Sequence, residues 1–210
     1  MVRWRQQMWN HPVSTTAALT QFVTDYQTAY PQLTEIFDPQ WRSPCECGEP
    51  FFDDRGVQRI PWQPLRRHPD CDDFAGLEHA LELTVHQDIK DYYAAYWSAG
   101  LEADAPQGPV SLILLWNPDD VDRLIENLLG HALAKRKSRS PFSVFFACTA
   151  ADSELFLSVD NASGEVLLEK PGYKPLEVVA SSLAEFLGQL TPASPQRHPE
   201  QQGALAGRGT

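Results

Sequence analysis

The spacing of apolar residues predicts a first helix near the beginning of the chain. Apolar side chains recur three and four residues apart from Leu19 to Tyr30, which is the repeat of one face of an α-helix. Ser14 or Thr15 can cap the start of this pattern, and Pro31 ends it. We therefore expect a helix that begins at residue 14 or 15 and buries one face.

A second amphipathic pattern covers residues 73–97 and predicts one continuous helix that stops before Gly100. Asp70, Asp72 and Asp73 lie at its start, where free backbone N–H groups and the helix dipole favour negative charge. The apolar members fall within an arc of about 120° at 100° per residue. They are Leu77, Leu81, Val85, Ile89, Tyr92 and Tyr96.

A third helix is predicted from its boundary residues as well as from its period. Asn117 can cap it, Pro118 suits its first position, and Asp119 and Asp120 meet the positive end of the dipole. Three cations at residues 135–137 close it. The predicted apolar face consists of Val121, Leu124, Ile125, Leu128, Leu129 and Ala132.

Apolar and β-branched runs predict strands between and after these helices. The runs are residues 57–62, 110–116, 142–149, 154–160 and 165–169. The last two form a hairpin in which Gly164 can take a positive φ. A final helix is expected over residues 175–190. Helices packed on an antiparallel or mixed sheet define the predicted class, α+β.

The length of 210 residues favours a single domain. We expect a variable N-terminal extension at residues 1–14, an α+β domain at 15–190 and a flexible tail at 191–210 that is rich in Pro, Gly, Ala and Gln. The apolar runs are far shorter than the roughly 20 residues of a membrane span, and no secretory signal is recognisable. Four cysteines without a disulfide framework are typical of reduced thiols in the cytoplasm.

The net charge of −11 limits the possible partners. Duplex DNA and anionic lipid both require a cationic face, so the charge argues against either as a direct partner. The segment 70–126 holds 13 acidic and 2 basic residues and accounts for the whole net charge. Such a segment favours a basic protein partner, although acidic helix starts explain several of these carboxylates.

Residues that carry catalysis are hard to find. No glycine-rich phosphate loop, nucleophile elbow or paired zinc knuckle occurs, and Cys45 and Cys47 stand without a second pair. His79, Glu82 and His86 would share one edge of the second helix, but seven residues place the two imidazoles about 10 Å apart along the axis. That distance is too long for one metal ion. We expect no enzyme activity, no metal and no cofactor.

Short segments of the sequence resemble the Syd family, in the order in which that family has them. They are residues 43–45 (SPC), 77–83 (LEHALEL), 127–131 (NLLGH), 159–166 (VDNASGEV) and 183–187 (LAEFL). Each match is weak alone, but the ordered set is specific, and it covers roughly residues 16–190.

This resemblance implies a fold related to the SUKH group and a concave acidic surface without catalysis or cofactor. It further implies a bacterial protein that is cytoplasmic and peripheral on the inner membrane because it binds SecY, the channel subunit of the translocon. The expected role is to monitor or modulate translocon assembly. Basic cytoplasmic loops of SecY would attract a protein of charge −11, whereas anionic lipid would repel it, so no direct lipid insertion is expected.

Charge and helical position select the residues expected to contact the partner. Asp119, Asp122 and Glu126 fall in an arc of about 60° beside the apolar stripe of the third helix. Gly130 extends the same ridge and would allow a close approach of another backbone. Glu78 falls inside the apolar arc of the second helix, an unusual position for a carboxylate. The complete expected set is Glu78, Glu82, Asp88, Trp116, Asp119, Asp122, Glu126 and Gly130.

Two other functions stay open at the level of the sequence. The SUKH group includes immunity proteins that neutralise toxins, and such a protein would bind one cognate enzyme rather than a channel. A third hypothesis is a small metal-dependent hydrolase at the His79–His86 edge, which requires a bound metal.

Overall fold

The computed structural model of the chain describes residues 13–70, 72–150 and 153–196. Its helices are α1 (Thr15–Ala29), α2 (Ala75–Leu81), α3 (Gln87–Tyr93), α4 (Pro118–Ser138) and α5 (Leu183–Leu187). Its strands in the first half are β1 (Leu33–Ile36), β2 (Phe51–Phe52), β3 (Gln58–Trp62), β4 (Leu65–Arg66), β5 (Tyr96–Trp97), β6 (Leu101–Ala105) and β7 (Gly108–Leu112). The second half adds β8 (Ser143–Cys148), β9 (Phe156–Asp160), β10 (Val166–Glu169), β11 (Glu177–Ala180) and β12 (Thr191–Pro192).

A seven-stranded sheet in the order β11-β10-β9-β8-β7-β6-β12 forms the centre of the domain, and its neighbouring strands are antiparallel. Two smaller sheets, β1-β3-β2 and β4-β5, accompany it. The predicted α+β class is therefore confirmed. Within the described residues no helix has both the length and the apolar character that a bilayer crossing requires.

Helices cover both faces of the large sheet. Alternate residues of β8 point to opposite sides. Phe146 meets the rings of Tyr92 on α3 and Phe186 on α5, whereas Phe145 meets the ring of His131 on α4. The helix α4 thus has an inner face against the sheet and an outer face directed away from it.

Helices α1 and α4 begin as predicted because local capping bonds define their first turns. The Ser14 hydroxyl accepts the N–H of Ala17 at 3.2 Å, and the Asn117 amide oxygen accepts the N–H of Asp120 at 3.0 Å. Each bond satisfies a backbone donor that has no partner within the helix. The hairpin across residues 161–164 is also confirmed, with Gly164 at φ +79°.

The prediction of one helix over residues 73–97 was wrong. Helix α2 ends at Leu81 because Glu82 adopts the left-handed conformation at φ 55°, and α3 begins only at Gln87. The Glu78 carboxylate accepts the N–H of Val85 at 2.8 Å and so closes the turn between the helices. The predicted burial of the apolar stripe is nevertheless confirmed, since all six of its members are buried.

The strand predicted at residues 110–116 is shorter than expected, and a neighbouring strand was missed. Strand β7 ends at Leu112, and residues 113–117 lead irregularly into α4. Strand β6 was overlooked because Glu102 and Asp104 interrupt its apolar character. Glu102 is only 3% exposed, and its carboxylate accepts a hydrogen bond from the hydroxyl of Ser111 at 2.8 Å.

The final helix predicted over residues 175–190 was also wrong. Residues 177–180 form the edge strand β11, and only the short α5 is helical. Ser182 caps α5 by accepting the N–H of Glu185 at 3.2 Å, and the Glu185 carboxylate accepts the N–H of Ser181 at 2.9 Å. These local bonds start a new helix at Leu183 instead of continuing one.

The ordered structure continues past the expected start of the tail at residue 191. Thr191 pairs with Asp104 and Pro192 with Ala103, and Ala193 is 3% exposed. The first residues of the predicted tail therefore belong to the edge of the sheet. The expected N-terminal extension at residues 1–14 lies outside the described residues except for Val13 and Ser14.

Candidate partner-binding surface

Three of the predicted contact residues lie together on the outer face of α4. Asp119, Asp122 and Glu126 are exposed, and none of them forms an ion pair with a residue that the structure describes. At 100° per residue they occupy an arc of about 60° on the side away from the sheet. Three charges that have no ionic partner among the described residues are available to a cationic partner.

The nearest cation on the same helix is directed elsewhere. The guanidinium of Arg123 lies 3.8 Å from the ring centroid of Trp41 and 4.0 Å from the carboxylate of Asp120. Asp120 itself accepts the N–H of Trp116 at 2.9 Å, and burial raises its pKa. Arg123 and Asp120 are therefore engaged with the start of the helix, and Arg123 does not neutralise the outer carboxylates.

Trp116 stabilises the start of α4 from inside the protein. It is 8% exposed, and its indole N–H donates to the carbonyl of Trp41 at 3.1 Å. Its ring packs edge-on against that of Trp62, with 5.8 Å between the ring centroids. Its own carbonyl accepts the hydroxyl of Ser43, one of the residues of the SPC segment. Trp116 acts on the surface by positioning Asn117 and the first turn of α4.

Glu78 has an internal structural role that explains its place in an apolar stripe. Besides closing the turn at Val85, its carboxylate lies 2.6 Å from the ammonium of Lys90. Lys90 also pairs with Asp72 at 2.6 Å. Lys90 and Arg123 are the only basic residues in the acidic segment 70–126, and both are bound by groups of the protein itself.

The break between α2 and α3 separates Glu82 and Asp88 from the α4 cluster. Glu82 is exposed and follows Leu81, whose carbonyl accepts a hydrogen bond from Arg136 at 2.8 Å. Arg136 is about 15 Å along the helix axis from Glu126, so Glu82 lies towards the opposite end of α4. Asp88 is half-buried in the first turn of α3. The eight predicted residues therefore do not form one compact cluster.

His79 and His86 belong to different helices rather than to one edge. His86 caps α3, and its ring occupies the space in which a Cβ on Gly164 would lie, at 2.7 Å. Asn161 in the same hairpin accepts the N–H of His86 and donates to the carbonyl of Thr84. Among the described residues, no three His, Cys, Asp or Glu side chains are arranged to hold a metal ion.

Two exposed leucines on the outer face of α4 were not anticipated. Leu129 and Leu133 are 36% and 56% exposed, although Leu129 was assigned to the apolar face. Gly130 lies between them, and nothing is within 4 Å of the position that its Cβ would occupy. The helical angle of Leu133, outside the apolar arc and on the side of Glu126, was the sequence signal that could have found this pair.

The inner face of α4 carries a buried ion pair that the sequence also concealed. The Lys135 ammonium contacts the Glu169 carboxylate, which also accepts the hydroxyls of Ser143 and Ser158. Lys135 is 6% exposed and Glu169 is 1% exposed. Burial alone would raise the pKa of Glu169, but its hydrogen bonds from Lys135, Ser143 and Ser158 outweigh burial and lower it.

Comparison with known proteins gives consistent matches across most of the chain. Residues 16–192 match the family model described as Syd protein (SUKH-2). A Protein Syd from Pseudoalteromonas atlantica is 39% identical over 158 residues, which cover 75% of this chain and 83% of that protein. One from Hahella chejuensis is 43% identical over 155 residues, 74% of this chain and 78% of the relative. Another from Colwellia psychrerythraea is 36% identical over 190 residues, 85% of this chain and 94% of the relative.

Proposed function

Because the chain belongs to the Syd family, we propose that it binds SecY at the cytoplasmic face of the protein-translocation channel through an acidic surface centred on α4. The observation that supports this proposal best is the set of exposed carboxylates of Asp119, Asp122 and Glu126, which form no ion pair within the part of the chain that the structure describes. The family name denotes no enzyme, and the proposed role is binding.

The charge of the surface fits the charge of the proposed partner. Cytoplasmic loops of membrane proteins carry an excess of Lys and Arg. A surface with three exposed carboxylates accelerates encounter with such loops and selects against acidic partners. The inner leaflet is anionic and repels a protein of net charge −11, so membrane location would depend on the channel. We therefore propose a peripheral position on the cytoplasmic side of the inner membrane.

The other predicted contact residues contribute to this surface to different degrees. Glu82 is exposed beside the end of α4 and offers a further carboxylate. Asp88 is only half-buried and keeps part of its carboxylate accessible. Glu78 and Trp116 support the surface from below, by holding the α2–α3 turn and the start of α4. We propose that this surface lets the protein monitor or modulate translocon assembly.

The test is binding of the purified protein to inner-membrane vesicles with normal and overproduced SecY, across a salt series. Binding is expected to increase with SecY and to weaken as salt screens the charges. The variant Asp119→Lys, Asp122→Lys, Glu126→Lys is expected to lose at least tenfold in affinity, since each reversed charge opposes a basic loop.

A matched control carries the same change of net charge on exposed carboxylates outside α4: Asp25→Lys, Asp54→Lys, Glu177→Lys. It is expected to bind like the unaltered protein. Binding that ignores the amount of SecY would refute the function and favour a soluble partner such as a toxin. Binding that follows SecY but survives the α4 reversal would refute the surface and leave the partner standing.

A further inference from the structure

The outer face of α4 changes character along its length. Its first turns carry Asp119, Asp122 and Glu126, its middle carries Leu129 and Leu133, and its last turn carries the exposed Lys137. Residues 119–137 span about 27 Å at 1.5 Å per residue. The face is therefore acidic, then apolar, then basic, and a purely cationic partner would match only its first part.

The apolar part is built like a contact surface. Leu129 and Leu133 are four residues apart, so their side chains are neighbours on the helix, and they are 36% and 56% exposed. Beside them Gly130 leaves the backbone of α4 open, since nothing lies within 4 Å of its absent Cβ. Glycine in a helix interior lowers stability by roughly 0.5–1 kcal/mol relative to alanine and brings no internal packing here.

We infer that the segment bound on α4 carries both cationic and apolar side chains, with the cations over Asp119, Asp122 and Glu126 and the apolar groups over Leu129 and Leu133. Its backbone passes close to Gly130. This inference rests on the proposed function, because it specifies the chemistry of the basic segment that binds there. The charged part directs the encounter, and burial of the leucines gives affinity that salt does not remove.

A second copy of this chain is the less favoured occupant of the face. It would bring another net charge of −11, and the last turn of its own α4, where Arg136 is bound to the carbonyl of Leu81, offers Lys137 against three carboxylates. The partner segment, by contrast, can supply a cation for each of Asp119, Asp122 and Glu126. Charge complementarity thus selects a basic and partly apolar segment of another protein.

Two synthetic peptides of about 18 residues, which in helical form match the length of the face, provide a probe independent of SecY. Both carry lysines in one half; in the other half one peptide has two leucines four residues apart and the other has glutamines there. The protein is expected to bind the lysine–leucine peptide about tenfold more tightly, and to keep that preference at high salt.

The variant Leu129→Gln, Leu133→Gln is expected to lose this preference while keeping helix propensity. Its matched control is Leu176→Gln, which alters a leucine that is 53% exposed and lies outside α4. The variant Gly130→Leu improves helix propensity in open space, so its melting temperature should not fall. We expect it nevertheless to weaken binding of the lysine–leucine peptide about tenfold, because the new side chain occupies the path of the partner backbone.

Equal affinity for the two peptides, or binding of neither, overturns the inference. So does unchanged peptide binding by both α4 variants. A concentration-dependent dimer that Leu129→Gln, Leu133→Gln abolishes would assign the face to a second copy instead. The vesicle assay distinguishes failure of this inference from failure of the proposed function. If the charge reversal abolishes SecY-dependent binding and the double glutamine variant does not, the proposed function stands and only the apolar contact is refuted.

Discussion

The two faces of α4 carry charge in opposite ways. On the inner face, the Lys135–Glu169 pair is buried and surrounded by hydroxyl donors. On the outer face, Asp122 and Glu126 are exposed and have no cation among the described residues. A buried charge must be paired where it lies, because desolvation without a partner costs several kcal/mol. An exposed charge is solvated by water and stays free for another molecule.

The comparison separates charges that hold the fold from charges that serve recognition. The same helix contains both because its period places Lys135 about 180° from the line of Glu126. Changes on the inner face should act on the free energy of unfolding and reach binding only through loss of the fold. Changes on the outer face should act on binding with little effect on unfolding.

The largest expected effect comes from removing one partner of the inner pair. Glu169→Gln keeps the shape but leaves the Lys135 ammonium buried without a counter-charge, which should lower the free energy of unfolding by about 3–5 kcal/mol. Denaturant titration followed by circular dichroism measures it. The double variant Lys135→Met, Glu169→Gln removes both charges, keeps an acceptor for the hydroxyls of Ser143 and Ser158, and should recover most of the loss. A loss below about 1 kcal/mol for Glu169→Gln would show that the inner pair contributes like a surface pair.

A smaller effect on the inner face is a dependence of stability on pH through His131. Burial lowers the pKa of His131 from 6.5, and the Lys135 ammonium lowers it further, while Glu169 and Ser143 oppose the change. Below pH 6.5 the unfolded chain takes up a proton that the folded protein resists, so stability should fall as the pH falls from 6.5 towards the lowered pKa.

The variant His131→Phe removes the titratable imidazole and keeps an aromatic ring beside Phe142, Phe145 and Phe156. Unfolding titrations between pH 7 and pH 5 should show a smaller loss of stability for the variant than for the unaltered protein. Parallel pH profiles for the two would mean that His131 does not resist protonation in the folded state.

The smallest effect on stability is expected on the outer face. Asp119→Lys, Asp122→Lys, Glu126→Lys alters exposed side chains, and only Asp119 lies in the first turn, where the helix dipole favours an anion. The free energy of unfolding should change by less than about 1 kcal/mol, while SecY-dependent binding is lost. A loss as large as that of Glu169→Gln would erase the distinction between the two faces.

The sequence was most reliable where local bonds decide the structure. Helix α4 begins at its predicted cap because Asn117 bonds to Asp120 only three residues away. The continuous helix over residues 73–97 failed because its break depends on side chains that the helical period does not reveal. Glu78 accepts the N–H of Val85, and Asn161, some 75 residues later in the chain, bonds to Thr84 and His86.

The candidate surface divides in the same way. Helical angle alone grouped Asp119, Asp122 and Glu126, and the structure does place them on one exposed face. Helical angle could not show that Glu78 differs from the exposed carboxylates. Its side chain is charged, but it makes internal contacts with Lys90 and with the N–H of Val85. Nor could helical angle find the exposed Leu133, because exposure depends on which elements pack beside a helix.

Sequence alone suffices for the α+β class, the burial of most residues in the periodic apolar stripes, the capped starts of α1 and α4, and the concentration of negative charge in residues 70–126. Composition, period and bonds over three or four residues suffice for these features. Tertiary packing sets which charges are left without an ionic partner among the described residues. Lys90 pairs with Asp72 and Glu78, and Arg123 stacks on the ring of Trp41. These contacts form only when segments distant in the chain are packed together.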